Sequence, residues 1–341
     1  MAKDAGHETS PAQALMGMLL GVPVAHAIAA AAELGIFALL EAGPLDAAEI
    51  AKRASTLEDP TYRLLRGLSA LGLFVEHNGR AFSLTEMGKC MLPSRPGSFD
   101  ALARMNGSDW GSAPFAQFVH CLKTGESAFR RHHGEGLFAH ISRYPEREQL
   151  FGNAMSTFSG MEIELVLGAY DFNNAGTIVD IGGGHGMLLS RILERAPGAR
   201  GVLFDLSKVV ERAKATWLGS ALSRRCEAVA GDFFERVPPG GDLYVLKHIL
   251  HDWDDDRAVT ILKNVASAMK PGARLLIIEQ GLAPPGVPSP GKIMDIVMLA
   301  LVEGGRERGA DEQSALFQRA GLRFEREIST PGPITLFLGS R

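Results

Sequence analysis

The sequence predicts an α/β protein in which a doubly wound, mostly parallel sheet follows a mainly helical N-terminal domain. From Gly176 onward, short apolar runs alternate with helical patterns, as in a parallel sheet covered on both faces. A glycine-rich segment, residues 182–186, follows the first of these runs. Before residue 100, two helical patterns and a hairpin pattern indicate a separate, smaller domain.

The composition is that of an ordinary globular protein. With 341 residues, of which 46% are hydrophobic and 22% charged, the chain is long enough for two domains. Its net charge of −4 gives no overall electrostatic reason to expect nucleic acid. The three cysteines, Cys90, Cys121 and Cys226, form no C-x-x-C pair, so we expect a reduced, cytoplasmic setting without metal–thiolate chemistry.

The N-terminal region contains no predicted targeting or membrane segment. Met1 to Ser10 is polar and lacks the order of a signal peptide. The apolar run from Val22 to Leu40 approaches the length of a membrane span, but it contains Pro23, His26 and Glu33. Its many alanines favour close helix packing, so we predict a helix buried partly against a second subunit.

Two helices are predicted next. Leu45 to Ser55 reads as a short helix, with Asp46 as N-cap and Glu49 completing a capping box. Asp59-Pro60 starts a second helix, which runs from Thr61 to Leu71 with leucines along one face.

A hairpin follows these helices. Leu73–His77 and Arg80–Leu84 flank Asn78-Gly79, a strong signal for a two-residue turn. Helix, helix, hairpin is the order of a winged helix, and many winged helices bind DNA. The second helix offers only Arg63 and Arg66 in an acidic protein, so DNA binding is not favoured.

Proline and glycine between Pro93 and Gly97 mark a boundary. We therefore divide the chain into a winged-helix-like N-terminal domain (1–98), a helical connector (99–170) and a doubly wound C-terminal domain (171–341). The connector is predicted to be wholly helical, with a loop around Arg130 to Gly134. It contains His120, Cys121, His132, His133 and His140, but their spacing does not match a metal site and no metal is predicted.

The last part of the chain contains seven predicted strands. They are Thr177–Ile181, Gly201–Leu206, Glu227–Gly231, Asp242–Leu246, Arg274–Glu279, Phe324–Glu327 and Thr335–Leu338. Strands alternating with helices predict a doubly wound domain of the Rossmann type, in which ligands bind at the carboxyl ends of the strands.

The glycine turn itself predicts a nucleotide cradle. Gly182, Gly184 and Gly186 form G-x-G-x-G, and Met187 stands where a dinucleotide site has its third glycine. Asp180 adds a carboxylate, which suits a cation or a hydroxyl group better than a phosphate. The combination points to S-adenosylmethionine, while a turn that uses glycine for packing alone remains the structural alternative.

Polar residues close the later strands at the end where ligands bind. The set comprises Asp205, Asp232 with Phe233, Lys247, His251 and Glu279. Asp205 lies 25 residues after Asp180, where an acidic side chain can accept both ribose hydroxyls. Asp232 could bind an exocyclic amine and Phe233 could stack on adenine. As structural alternatives, Asp205 could cap a helix and Asp232 could lie in a turn.

The run from His251 to Asp256 has two components. Its aspartates could resemble metal ligands, but the favoured interpretation is that Asp254 caps a helix ending near Met269, with Asp255 and Asp256 in its first turn. His251 precedes this helix at the end of a strand. Because histidine can accept a proton near neutral pH, His251 is the predicted general base.

The chain resembles the small-molecule O-methyltransferases of the caffeic-acid, isoflavone and acetylserotonin type, including bacterial polyketide-tailoring members. The resemblance spans nearly the whole chain, and its most specific feature is His-Asp-Trp after the fourth strand. The matching stretches are Leu34–Phe37, Leu71–Phe74, Leu84–Gly88, Phe151–Met155, Val179–Gly186, Phe204–Leu206, Gly231–Phe234, Lys247, His251–Trp253 and Gly304–Arg308.

This resemblance implies roles for individual residues. His251 falls on the catalytic base, and Glu279 and Glu307 fall on the acidic residues that bracket it. The first domain is expected to form a homodimer. The residues expected to bind S-adenosylmethionine, and the product S-adenosylhomocysteine, are Asp180, Gly182, Gly184, Asp205, Leu206, Asp232, Phe233 and Lys247.

The expected acceptor is a flat aromatic or polyketide-type small molecule, because apolar and adaptable side chains are available to line its pocket. They are Met155, Phe158, Met294 and Met298, together with Trp110 or Phe115. One alternative is methylation of nitrogen or carbon, which His251 does not exclude. Another is a non-catalytic S-adenosylmethionine-binding protein, which His251, Glu279 and Glu307 oppose. The missing third glycine opposes an NAD-dependent dehydrogenase, and the acidic charge balance opposes a winged-helix regulator.

Overall fold

The computed structural model describes residues 10–217 and 221–341. The polar segment at residues 1–9, where a signal peptide was not expected, lies outside them. The chain forms two compact units, Met1–Ser112 and Ala113–Arg341.

The first unit is mainly helical with a small antiparallel sheet. Its helices are α1 (Pro11–Leu19), α2 (Gly21–Glu33), α3 (Ile36–Leu39), α4 (Ala47–Arg53), α5 (Glu58–Ala70), α6 (Glu86–Lys89), α7 (Asp100–Gly107) and α8 (Asp109–Ser112). Its strands are β1 (Leu45–Asp46), β2 (Phe74–His77) and β3 (Ala81–Leu84), in the order β1-β3-β2. The predicted helix, helix, hairpin order is therefore observed.

The start of α4 confirms the predicted N-cap. The carboxylate of Asp46 accepts a hydrogen bond from the backbone N–H of Glu49 at 2.8 Å. The predicted second half of the capping box does not form in this helix, because the Glu49 carboxylate pairs with Arg53 one turn later, at 2.6 Å. An exposed i,i+4 ion pair replaces the return hydrogen bond.

The hairpin loop is one residue longer than predicted. Gly79 and Arg80 have the two left-handed φ angles, 73° and 57°, and His77 pairs with Ala81 across the strands. Asn78, Gly79 and Arg80 therefore form a three-residue loop, which contains the predicted Asn78-Gly79 pair and one further residue in the left-handed region. Arg80 therefore belongs to the turn and not to the strand.

The boundary between the units follows Ser112, whereas the sequence suggested residue 98. Helix α7 packs on α2 so closely that a Cβ at Gly107 would lie 2.1 Å from the Cβ of Ala29. Arg104 also pairs with Glu33 at 2.6 Å. Residues 99–112 thus belong to the first unit. Within the described ranges no single helix is long and apolar enough to cross a membrane, although α1 and α2 together, bent by 44°, reach that length and composition.

The second unit begins with helices and continues as alternating strands and helices. Its helices are α9 (Phe118–Thr124), α10 (Ala128–His133), α11 (Leu137–Ser142), α12 (Pro145–Ala169), α13 (Met187–Arg195), α14 (Ser207–Trp217), α15 (Asp255–Ala268), α16 (Pro290–Leu301) and α17 (Ala310–Arg319). Its strands are β4 (Thr177–Ile181), β5 (Arg200–Asp205), β6 (Cys226–Ala230), β7 (Leu243–Lys247), β8 (Arg274–Gln280), β9 (Arg323–Ser329) and β10 (Ile334–Ser340).

One detail of the helical region differs from the prediction. The loop expected around Arg130 to Gly134 is wrong, because α10 covers Ala128–His133 and ends at Gly134 with φ 78°. Ser127 caps this helix by accepting a hydrogen bond from the backbone N–H of Arg130. A serine cap and a left-handed glycine stop are sufficient signals for a short helix.

The seven strands form one sheet in the order β6-β5-β4-β7-β8-β10-β9. The first five are parallel, and β10 is antiparallel to both β8 and β9, so the mostly parallel prediction is confirmed. Ile178 packs into one apolar cluster and Val179 into another, so the central strand β4 is covered on both faces. The carboxyl ends of five neighbouring strands consequently share one edge.

Candidate active site

The glycine turn connects β4 to α13 at this edge. Gly182, Gly184 and Gly186 all have left-handed φ, at 67°, 58° and 77°, which side chains with a Cβ rarely adopt. A Cβ at Gly184 would meet nothing within 4 Å. Open space beside a strained, side-chain-free backbone is the expected form of a ligand cradle.

Asp205, at the end of β5, is joined to this turn. Its Oδ2 accepts a hydrogen bond from the N–H of Gly184 at 2.9 Å, and its Oδ1 accepts one from the N–H of Leu206 at 2.7 Å. Burial raises the pKa of Asp205 even though these two N–H groups favour the charged form. Each carboxylate oxygen retains a lone pair, so both remain available to accept ribose hydroxyls.

Asp180 is buried directly before the turn. Only 2% of its surface is exposed, and its Oδ2 has no hydrogen-bond partner among the described residues. Burial, together with the charge of Asp205, raises the pKa of Asp180 to about 7, while Lys247 opposes the shift. A buried oxygen without a partner is costly unless a bound group satisfies it.

The segment after β6 holds its aromatic rings against the following helix. Asp232 accepts a hydrogen bond from the N–H of Phe234 at 2.8 Å, so the turn interpretation of Asp232 is observed. Phe233 and Phe234 both pack against the ring of Trp253. Asn264 of α15 donates to the carbonyls of Phe233 and Phe234, at 2.8 Å each, which fixes the position of these rings.

Lys247 enters a buried polar network at the end of β7. Its Nζ lies 2.6 Å from Glu162 Oε2 and 3.2 Å from Ser159 Oγ. Burial opposes the charge on Glu162, but His248 and Lys247 outweigh it and lower the pKa of Glu162 to about 2. The Lys247 ammonium is thus anchored to α12, at the same edge as the glycine turn.

His251 is held by both predicted glutamates, in different ways. Its Nδ1 lies 2.8 Å from Glu307 Oε1, and its backbone N–H donates to Glu279 Oε1 at 3.0 Å. Its Nε2 lies 3.7 Å from Asp252 Oδ1, beyond hydrogen-bond distance. When the ring is neutral, Glu307 therefore selects the tautomer in which Nδ1 carries the proton and Nε2 can accept one.

The electrostatic environment favours a proton on His251. Burial lowers the pKa of His251, but Asp252, Glu307 and Glu279 outweigh burial and raise this pKa to about 9. Asp252 is itself buried, and burial raises its pKa to about 6. The imidazole is therefore mainly a cation at neutral pH before any ligand binds.

Arg308 secures the loop that contains His251. Its guanidinium donates to the carbonyls of Leu250 and Trp253, at 2.9 and 2.7 Å, and pairs with Asp255 at 2.8 Å. The Arg306 N–H donates to the carbonyl of His251 at 2.8 Å. These contacts connect the 304–309 segment to both sides of the base.

Asp254 caps α15, as predicted. Its Oδ1 accepts a hydrogen bond from the N–H of Arg257 at 2.9 Å, and Asp255 and Asp256 occupy the first turn. Within the part of the chain that the structure describes, no three His, Cys, Asp or Glu side chains gather in a way that could hold a metal ion.

His248 was not identified from the sequence. Its ring stacks on that of His251, with centroids 5.1 Å apart and planes at 28°, and its Nε2 lies 2.9 Å from Glu162. Burial and the charge of Lys247 lower the pKa of His248 to about 4, so it is neutral beside the charged base. Its spacing, three residues before His251, was the signal available in the sequence.

The predicted acceptor residues fall into two helix pairs and two separate positions. Met155 and Phe158 lie three residues apart on α12, and Met294 and Met298 lie four apart on α16, so each pair shares a helix face. Met298 is only 9% exposed, and Trp110 is buried within the first unit. Phe115 is 39% exposed.

Comparison with known proteins identifies the class. A family model described as an O-methyltransferase domain matches residues 115–323, and one described as an O-methyltransferase dimerisation domain matches residues 16–94. The mitomycin biosynthesis 6-O-methyltransferase of Streptomyces lavendulae is 38% identical, covering 94% of this chain and 91% of that protein. The solved structure of LaPhzM has a TM-score of 0.93 and 34% identity, covering 96% of this chain and 98% of that one.

A relative that acts on nitrogen is also similar. The 8-amino-8-demethylriboflavin N,N-dimethyltransferase of Streptomyces davaonensis is 33% identical, covering 92% of this chain and 91% of that protein. The domain match and the whole-length relatives define a methyltransferase. The chain belongs to the S-adenosylmethionine-dependent O-methyltransferase family, which confirms the resemblance found in the sequence.

Proposed function

We propose that this enzyme transfers a methyl group from S-adenosylmethionine to a phenolic hydroxyl of an aromatic or polyketide-type small molecule, with His251 as general base. The observation that carries the proposal is the arrangement of His251. Its Nδ1 lies 2.8 Å from Glu307 Oε1, while its Nε2 has no hydrogen-bond partner among the described residues. A base oriented by a carboxylate on its far nitrogen is a recurring catalytic arrangement.

The residues at the glycine turn fit the methyl donor. The buried Asp180 Oδ2 lacks a partner among the described residues, and the space beside Gly184 is open. Asp205 and Leu206 would hold the ribose, Asp232 and Phe233 the adenine, and Gly182 and Gly184 the amino-acid end. Lys247 would contribute through the field that its buried ammonium adds near Asp180. When bound, S-adenosylmethionine supplies a methyl group that its sulfonium already activates.

The protein must therefore bind, orient and deprotonate the acceptor. A phenol with a pKa of about 10 costs roughly 4 kcal/mol to ionise at pH 7. Once His251 has lost its own proton, its Nε2 would take the hydroxyl proton, and the oxygen would keep the electron pair with which it bonds the methyl carbon. The sulfur would keep the pair of the broken methyl–sulfur bond and leave as the thioether of S-adenosylhomocysteine. Glu307 then faces the resulting imidazolium through Nδ1 and stabilises it.

We propose that Met155, Phe158, Met294 and Met298, with Phe115, line the acceptor pocket in the second unit; Trp110 belongs to the first unit. These side chains are apolar and flexible, which suits a planar ring system. The O-methyltransferase from mitomycin biosynthesis supports a natural-product acceptor of this kind.

Mass spectrometry of the purified protein tests the first half of the proposal. We expect an S-adenosyl ligand to be bound, or to bind on addition. The protein is then incubated with S-adenosylmethionine and a panel of phenols, naphthols and hydroxyphenazines. A gain of one methyl group on oxygen supports the proposal, and transfer to none of the hydroxyl acceptors contradicts it.

Nitrogen methylation is a second candidate, because an N,N-dimethyltransferase is among the relatives. Aryl amines of the same ring systems separate the two reactions. An amine needs a base only after the methyl group has been transferred, so the amine reaction would depend much less on His251.

We further propose that the active form is a homodimer in a reducing cytoplasm. The match to a dimerisation domain at residues 16–94 supports the first point. All three cysteines are free thiols, which supports the second.

A further inference from the structure

Gln313 lies in α17, outside every motif that the methyltransferase resemblance covers. It is 0% exposed, and its Nε2 donates a hydrogen bond to Glu279 Oε2 at 3.0 Å. Its own Oε1 has no partner among the described residues. Burying an amide whose oxygen has no hydrogen-bond partner costs free energy, and an apolar side chain would fill the same space without that cost. We therefore looked to the contact with Glu279 for the role of Gln313.

Glu279 connects this amide to the base. Its Oε1 accepts the backbone N–H of His251 at 3.0 Å, and its Oε2 accepts Gln313 Nε2 at the same distance. Both oxygens therefore act as acceptors, which is the hydrogen-bond pattern of an ionised carboxylate. Gln313, Glu279 and His251 form one continuous chain of buried contacts.

We propose that Gln313 is a positioning residue for methyl transfer, which keeps Glu279 ionised and oriented against His251 and so sets the proton affinity of the base. The proposal rests on the function of His251 proposed above. Gln313 touches neither the acceptor nor the methyl donor, and acts through Glu279 alone.

The groups around Glu279 determine in which direction its pKa should move when Gln313 is replaced. Burial raises the pKa of Glu279, and Glu307 adds to this, while His251 and Arg308 favour the charged form. The amide N–H of Gln313 is one more group that stabilises the carboxylate, so removing it raises the pKa of Glu279 further. His251 also faces Asp252, Glu307 and the neutral His248. These groups are unchanged by a substitution at residue 313.

Loss of the negative charge on Glu279 should lower the pKa of His251. Glu279 is one of the carboxylates that raise the pKa of His251. If Glu279 takes up a proton, the imidazolium loses part of its stabilisation and the pKa of His251 falls. The variant base is then neutral at a lower pH than the wild-type base.

Gln313→Met tests this sign with little change in side-chain length. The titration of His251 is followed by NMR of its Cε1–H, assigned by its loss in His251→Gln. We expect the midpoint to move to lower pH by about half a unit or more, and the acid limb of kcat/KM to move with it. Gln318→Met is the matched control, since Gln318 is exposed on the same helix, and it should leave the midpoint unchanged.

A purely structural role predicts a different result. Gln313→Met would then alter the melting temperature while the His251 titration stayed in place, and that result overturns the proposal. Gln313→Leu, a second apolar variant, should produce the same shift if the methionine variant folds poorly.

A double substitution tests whether the effect passes through Glu279. In a Glu279→Gln background, Gln313→Met should cause no further shift of His251, and a shift as large as in the wild type overturns the proposal. The titration needs no acceptor. Failure to methylate any hydroxyl would therefore remove the proposed function, while the NMR result would still decide how Gln313 affects His251.

Discussion

At the scale of single residues, His251 has an unusually high proton affinity for a base. Its pKa of about 9 lies above the ordinary histidine value of about 6.5, because three carboxylates outweigh the effect of burial. The side chain must lose this proton before it can accept one from a phenol. The same carboxylates that hold the base also stabilise the imidazolium that forms during the reaction.

This balance predicts the pH dependence of the enzyme. As pH rises through about 9, His251 becomes neutral and kcat/KM should rise with it. Glu307→Gln removes a negative charge but retains an oxygen that can accept the Nδ1–H, so the pKa of His251 should fall by about one unit. We expect the acid limb of kcat/KM to move to lower pH by that amount, measured with a phenol of known pKa.

Glu303→Gln is the control for the Glu307 variant. Glu303 is exposed and pairs with Arg130 at 3.1 Å. Its pH profile should match that of the wild type. An unchanged profile in Glu307→Gln would contradict the electrostatic account of His251.

Substitutions of His251 and Asp205 should affect turnover and cofactor binding differently. His251→Ala should lower turnover by about two orders of magnitude or more and leave affinity for S-adenosylmethionine nearly unchanged. Asp205→Ala should weaken cofactor binding, because it removes the two oxygens that accept from Gly184 and Leu206. Calorimetric titration with S-adenosylhomocysteine measures affinity, and single-turnover kinetics measures transfer. Near-normal transfer in the first variant, or unchanged affinity in the second, would refute the role concerned.

The sequence predicts some of these residues better than others, for a physical reason. Asp180, Asp205 and Lys247 lie in or beside strands, and the carboxyl ends of parallel strands meet at one edge. Glu307 is 56 residues from His251, and only the family resemblance placed it near the base. Glu162 lies within an otherwise apolar helix pattern, where no local signal shows which buried cation it meets.

At the scale of elements, caps were more predictable than turns. Asp46 and Asp254 cap their helices as expected, because an N-cap depends on contacts only three residues away. The hairpin loop has three residues where two were predicted, because the pairing of His77 with Ala81 leaves Arg80 in the loop. The local sequence contains the information for a helix cap, but it does not determine which residues pair across the two strands.

The cap of α15 should influence both stability and chemistry. Asp254→Ala removes the hydrogen bond to the Arg257 N–H and should lower the free energy of unfolding by about 1 kcal/mol. Because the loop with His251 precedes this helix directly, we also expect a several-fold loss of turnover. Asp46→Ala is the matched control, since it removes an equivalent cap in the first unit. It should cost similar stability, measured by urea denaturation, with turnover unchanged; equal turnover in both variants would contradict the prediction for Asp254.

At the scale of the whole molecule, composition predicts two domains but does not locate the boundary between them. Pro93 to Gly97 is a strong local break, yet α7 follows it and packs against α2 through Gly107 and Ala29. A glycine that allows two helices to approach cannot be distinguished from an unfavourable helix residue in sequence alone. The unit boundary is a property of tertiary contacts.

The first unit also exposes an apolar surface that a monomer would leave in water. Met18, Leu19 and Val22, on α1 and α2, are 76%, 66% and 68% exposed. Such a patch marks an interaction surface, and the dimerisation-domain match covers it.

The double substitution Met18→Glu with Leu19→Glu should therefore reduce the mass measured by light scattering from that of two chains to that of one chain, 36.5 kDa. Leu57→Glu, at a single exposed position elsewhere in this unit, should leave the mass unchanged. The two glutamates would place charge in the buried interface, which is costly. A wild-type protein that is already monomeric at micromolar concentration would refute the homodimer.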